Sequence, residues 1–204
     1  MHLKVTLTTA LLLGLTMLSA QEKATTESGK KVLLWPNGTW KPVPEPSTPK
    51  PGGDYQRPKH STDRITFPKS KFTVYYDASI WKKVGPEQPT RQTYQHKDGD
   101  GYAVVIAERM QAPLETLKNL ALTNAKNVAP DARFAFEETR TVNGLKVLVL
   151  QIKGTMQGMP ITYFGYYYTG TEGCIQILTY TTDNLFDEFK NDFQAFLNGF
   201  TIES

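Results

Sequence analysis

The sequence predicts an α+β fold, an antiparallel sheet sandwiched between helices (an α/β/α arrangement), and three patterns predict it. Phe186, Phe189, Phe193, Phe196 and Phe200 step by three or four residues, which gathers them on one face of a helix. The segments "LKVLVLQIKG", "ITYFGYYYTG" and "CIQILTYTT" are apolar at consecutive rather than alternating positions, the mark of strands covered on both faces. A second helical pattern lies between these strands and an earlier group, so a helix is available for each face.

The chain opens on a leader. His2 and Lys4 form a short polar start, residues 5–18 are apolar, and Ser19-Ala20 offers small residues for cleavage. That is the arrangement of a secretory signal peptide over residues 1–20. A spanning helix needs about 20 apolar residues, and this run is shorter and broken by threonines. The expectation is a cleaved leader, a secreted or periplasmic location and no stable membrane insertion afterwards, with an uncleaved anchor as the alternative. Gln21 stands where a bacterial lipoprotein would carry cysteine. Loss of the leader leaves 22 basic against 20 acidic residues. Such balance argues against a nucleic-acid partner, because nucleic-acid binders carry a clustered basic excess. Cys174 is the single cysteine, so no disulfide staples the chain and the core alone must hold it.

Residues 21–43 contain "GKKVLLWPNGTWKPV", which predicts a β-hairpin. A two-residue Asn37-Gly38 turn would set Trp35 opposite Trp40; a three-residue Pro36-Asn37-Gly38 loop with Gly38 left-handed would set Trp35 opposite Thr39. Pro36 presets φ for the first central position of a turn and favours the longer loop. Asn37-Gly38-Thr39 also spells a glycosylation sequon. A lone hairpin is marginal in water, so this one is expected to dock on its own domain or on a partner. Residues 44–61, "PEPSTPKPGGDYQRPKHS", are rich in proline, glycine and charge and read as a linker.

Residues 62–204 form the main domain. "FTVYY" (Phe72–Tyr76) reads as a strand, and "TRQTYQHK" and "YAVVIAER" flank the Asp98-Gly99-Asp100-Gly101 turn of a hairpin. A helix follows, with Pro113 at its first position, Glu115 in its first turn and Leu114, Leu117, Ala121 and Ala125 on one face. Strands then turn at Asn143-Gly144, at "TMQGMP" and at "TGTEG". In the closing helix Asp183 is expected as the cap and Gly199 as the terminating residue.

Catalytic groups are scarce. His60 and His96 are the histidines left after cleavage, and neither belongs to a metalloprotease-type pair. Asp98 and Asp100 beside His96 are the one candidate for a metal or for hydrolytic chemistry, but "HKDGDGY" lacks the further carboxylates of a calcium loop. No serine stands in a Gly-x-Ser-x-Gly elbow, and no glycine loop precedes a helix to hold phosphate. No catalytic residue and no cofactor is expected. "YFGYYY" is the segment most suited to binding: alternation splits it into Tyr163/Gly165/Tyr167 and Phe164/Tyr166/Tyr168, and Gly165 opens a notch on one face. Tyr163, Tyr166 and Tyr168, with Trp35 and Trp40, are the candidate binding surface.

The element order with "VNGLKVLVLQIKGTMQGMPITYFGYYY", "IQILTYT" and a closing helix ending "FLNGF" resembles the PsbP-like superfamily over roughly residues 61–204. That resemblance implies an α/β/α sandwich on an antiparallel sheet and a non-enzymatic binding or assembly role. No functional residue of the photosystem or Ran-binding relatives finds a counterpart here, and shared fold alone carries no activity. "SGKKVLLWPNGTWKPV" is similar to a short Gly-Thr-Trp motif that follows the signal peptides of exported bacterial proteins. The expected role is a binding domain of the cell envelope whose partner is an envelope protein or a small ligand. The alternative is a hydrolase or metal-binding protein around His96.

Overall fold

Turn chemistry sets the strand registers. Asn143-Gly144 and Gln157-Gly158 both hold two consecutive left-handed residues, at φ +49° and +81° and at +51° and +82°. Two-residue turns of that kind match the twist of the strands they join. The computed structural model describes residues 22–27, 31–34, 38–42, 53–86 and 88–203, in two compact units, Met1–Val43 and Pro44–Ser204.

In the first unit β1 (Glu22–Thr25), β2 (Lys31–Leu34) and β3 (Trp40–Pro42) form an antiparallel sheet in that order, so the expected hairpin gains a strand. Leu34 lies opposite Trp40. Gly38 is left-handed at φ +78°. Trp35, Pro36 and Asn37, and the signal-peptide and sequon readings with them, lie outside the described residues.

The second unit contains β4 (Asp54–Tyr55), β5 (Asp63–Thr66), β6 (Phe72–Tyr76), β7 (Trp81–Val84), β8 (Arg91–His96), β9 (Tyr102–Glu108), α1 (Leu114–Val128), β10 (Arg133–Val142), β11 (Leu145–Met156), β12 (Met159–Gly170), β13 (Gly173–Thr182), α2 (Phe186–Leu197) and β14 (Phe200–Ile202). The main sheet runs β4-β10-β11-β12-β13-β9-β8-β7, antiparallel except where β4 meets β10. Its α1 face packs Leu117, Ala121 and Ala125 on Leu148, Leu150, Ile152 and Tyr167. Its other face packs Val105, Val149, Phe164 and Ile177 on the buried phenylalanine stripe of α2 and on a second sheet, β14-β6-β5. Fully burying one such aromatic is worth about 2–3 kcal/mol, so the stripe anchors this face.

One expected strand gains its partners and three expectations change. "FTVYY" belongs to the second sheet, where it pairs with β14 as well as β5; its β-propensity marks a strand without naming the partner. Residues 44–61 are not uniformly a linker, because Tyr55 and Asp54 pair with Val142 and Thr141 of β10. Asp183 opens a 3-10 turn ahead of α2, whose N-cap is Leu185; the Asp183 carboxylate accepts from Thr162 Oγ1 at 2.5 Å and pairs with Lys153 Nζ at 2.7 Å across the sheet. Gly199 has no left-handed φ, and what it provides is a close backbone approach to Tyr75.

Candidate functional site

Side chains of neighbouring antiparallel strands meet directly when their registers align. Tyr163 of β12 lies opposite Tyr180 of β13, and Tyr180 lies opposite Tyr102 of β9. Their rings stand in a row across three strands, with centroids 5.5 Å apart for Tyr163–Tyr180 and 5.2 Å apart for Tyr180–Tyr102. All three are half-buried. Tyr102 Oη accepts a hydrogen bond from Gln95 Nε2 at 3.2 Å. Burial raises the Tyr163 and Tyr180 phenols above their ordinary range, so both hydroxyls remain donors at neutral pH.

Beside this row the sheet and α1 enclose a half-open cavity of about 110 Å³. Ala121, Asn124 and Ala125 line it from the helix, and Ile152, Tyr163, Tyr167, Gln176 and Leu178 line it from the sheet. Tyr167 and Gln176 are directly opposed residues of β12 and β13, exposed to only 1% and 4%. The Tyr167 hydroxyl and the Gln176 amide stand among the cavity's lining groups. The cavity therefore offers donors and acceptors to a bound molecule or to water. It holds no charged side chain. Burial drives the Tyr167 phenol far above its usual range, so it stays neutral.

The predicted notch exists but is filled. A Cβ at Gly165 would meet Ile177 O and the Leu178 side chain, each at 2.8 Å, so Leu178 occupies the space that glycine leaves. The tyrosines named from sequence do not form one surface. Tyr163 packs on the α1 side, whereas Tyr166 and Tyr168 pack on the α2 side, as strand alternation requires. Tyr166 is buried, donating to Asn198 Oδ1 at 2.9 Å and accepting from Arg140 Nη1 at 3.2 Å. Trp40 is exposed in the first unit. Tyr102, Tyr167, Tyr180 and Gln176 were not singled out by sequence reasoning; they become visible once the register of β9, β12 and β13 is counted.

His96 is built into the core. It is buried, with Trp81 and Phe189 edge-on at 5.1 and 4.8 Å. Its Nδ1 accepts the Asp98 backbone N–H at 3.2 Å, which places the neutral ring's proton on Nε2, and Nε2 donates to Asp192 Oδ2 at 3.1 Å. Both nitrogens are thus committed, leaving no lone pair for a base or a metal. Asp98 is near, at 3.7 Å from Nδ1, while Asp100 contributes its backbone carbonyl to Thr181 Oγ1. Burial, and then the Asp98 charge, raises the Asp100 carboxyl. Among the described residues no three His, Cys, Asp or Glu side chains converge as metal ligands. Cys174 is buried on the α1 side, and burial pushes its thiol up, away from nucleophilic reactivity.

No protein-family model and no curated protein matches the chain. Among solved structures, the chain is similar to cyanobacterial PsbP (CyanoP) from Synechocystis, with a TM-score of 0.50 and 13% identity over 71% of this chain and 94% of that one. A protein from Bacteroides thetaiotaomicron aligns at TM-score 0.46 and 10% identity over 71% of this chain and 49% of its own. LpqN, a protein of cell envelope biogenesis in Mycobacterium tuberculosis, aligns at TM-score 0.36 and 12% identity over 77% and 88%. The CyanoP likeness is one of fold: a mixed α+β domain with a mostly antiparallel sheet and two helices. Among the described residues no helix is long and apolar enough to cross a membrane.

Proposed function

We propose that this chain is an exported, non-catalytic domain of the cell envelope that binds a small uncharged ligand between α1 and the main sheet. One observation carries the reading: Tyr167 and Gln176 are buried, opposed across β12 and β13, and both line a cavity with groups able to hydrogen-bond. Charge in the ligand is disfavoured because the cavity offers no counter-charge and desolvating an unpaired ion is costly. An amide or alcohol with a short apolar end fits, with its polar head on Tyr167 and Gln176 and its remainder over the Tyr163–Tyr180–Tyr102 row. Export rests on the leader, and the non-catalytic reading rests on the committed nitrogens of His96. The N-terminal sheet is proposed as a docking element for an envelope protein, tethered by the proline-rich segment, with Trp40 as an exposed contact.

The test is a ligand-detected NMR screen of small uncharged amides and alcohols against the mature protein. Hits that Tyr167→Phe and Gln176→Leu both weaken, while circular dichroism stays unchanged, support the proposal. Binding that survives both substitutions refutes it.

A further inference from the structure

Asn143, in the turn between β10 and β11, bridges the edges of two sheets. Its backbone N–H donates to Tyr55 O at 2.9 Å, and its Oδ1 accepts the Arg57 N–H at 2.8 Å. Its Nδ2 donates to Asn198 O at 2.8 Å and to Phe200 O at 2.7 Å. One side-chain amide thus bonds to the chain after β4 on one wall and to β14 on the other.

Beyond Asn143 the gap continues as an open cleft of about 650 Å³, lined by Gln56 and Arg57 on one wall and Thr201, Ile202 and Glu203 on the other. Ladder parity says which backbone groups face it. Gly199 and Glu203 bond to β6, so the odd-numbered residues of β14 face inward, and Phe200 and Ile202 face outward. Asn143 takes the Phe200 carbonyl, and the Ile202 N–H and C=O remain. On the other wall Tyr55 O and the Arg57 N–H both bond to Asn143, so the Gln56 backbone, of opposite parity, turns away from the gap and the free edge is that of β14. An edge of this kind is a template for a further strand.

We infer that this cleft accepts an extended segment of a partner protein as a strand added to the outer edge of β14, with Arg57 on the opposite wall. The segment carries an acidic side chain. Glu203 is paired with Arg64 at 3.7 Å, whereas the Arg57 guanidinium lies 4.0 Å over the Tyr75 ring with no carboxylate beside it among the described residues. Main-chain bonds supply the affinity in this mode, and side chains supply the choice of partner. The site is separate from the cavity under α1, so either reading can fail alone.

The test uses the mature protein and a panel of acetylated peptides of about eight residues, alternating threonine and valine, with one glutamate moved through the sequence. Bound peptide should slow hydrogen exchange at the Ile202 amide by about tenfold or more, while amides lining the α1 cavity stay unchanged. Ile202→Pro removes a donor that β6 does not use and should weaken binding about tenfold; Ile202→Ala, which keeps the donor, should bind within about twofold. Arg57→Ala should weaken the glutamate peptide about fivefold and leave its glutamine twin unchanged. Absence of binding across the panel, absence of protection at Ile202, or unaltered affinity in a folded Ile202→Pro protein would each overturn the inference.

Discussion

His96 Nε2 lies 3.1 Å from Asp192 Oδ2, and this pair latches the β8–β9 hairpin to helix α2. Because Nδ1 is taken by the Asp98 N–H, the ring contributes through packing and two hydrogen bonds. His96→Ala should cost about 2–3 kcal/mol in urea unfolding, as expected for loss of a buried, hydrogen-bonded ring. It should leave ligand affinity at the α1 cavity unchanged. A hydrolytic activity that disappears in His96→Ala with stability intact would restore the enzyme reading.

Arg140 is buried beside Glu138, which accepts from its Nε, and the guanidinium also lies over the Tyr55 ring at 4.8 Å. Glu138 Oε2 is buried without a partner, so this carboxylate depends on Arg140. Arg140→Leu should therefore destabilise the protein by about 3–5 kcal/mol, the usual cost of stranding one member of a buried pair. Combining it with Glu138→Leu should recover most of the loss. Additive losses in the double variant, measured by chemical denaturation, would show that the two residues do not depend on one another.

Alkaline stability follows from the tyrosines. Burial pushes the Tyr166 phenol up to about 12, with the Arg140 charge pulling against it, from an ordinary value near 10. A folded value above the unfolded one means that the contribution is fully present below pH about 10 and is lost as pH rises through about 12. Two pKa units correspond to about 3 kcal/mol. Stability should fall steeply across that window, and Tyr166→Phe should flatten the slope. Ultraviolet titration should show the buried phenols ionising together with unfolding; reversible ionisation in the folded state would contradict this origin.

Much of the fold was legible because its patterns are local. Phe186, Phe189, Phe193 and Phe196 of α2 and the Asn143-Gly144 turn are each written within a few residues and appear where their spacing places them, whereas Phe200, expected on the same helical face, lies beyond the helix in β14. The second sheet was not legible, since the pairing of Phe72–Tyr76 with Phe200–Ile202 joins segments far apart in the chain. The same reason hid most of the candidate site. Tyr163 stood out in "YFGYYY", but Tyr180 and Tyr102 become its neighbours through the registers of β13 and β9. Alternation alone warned that Tyr163 and Tyr166 face opposite ways. The role of His96 depended on Asp192, a residue of another element that no local motif connects to it.

Gly199 provides the sharpest contrast between local and tertiary causes. At the end of α2 a glycine ordinarily supplies a left-handed φ, yet Gly199 does not adopt one. Its hydrogen instead allows the Tyr75 backbone to approach: an added Cβ would overlap the Tyr75 carbonyl oxygen and stand 2.7 Å from its carbonyl carbon. The overlapped atoms are backbone of β6, whose N–H at Tyr75 also donates to Gly199 O at 2.9 Å, so neither partner can withdraw without opening the second sheet. Gly144 is the opposite case, left-handed at φ +81° with open space where a Cβ would stand. Asparagine tolerates left-handed backbone, so Gly144→Asn should cost at most about 1 kcal/mol. Gly199→Asn and Gly199→Ala should both cost about 3 kcal/mol or more, because steric overlap does not depend on which side chain carries the Cβ. Thermal unfolding of the three variants separates the causes. Rescue at 199 by asparagine relative to alanine would show that conformation, not close approach, holds that position.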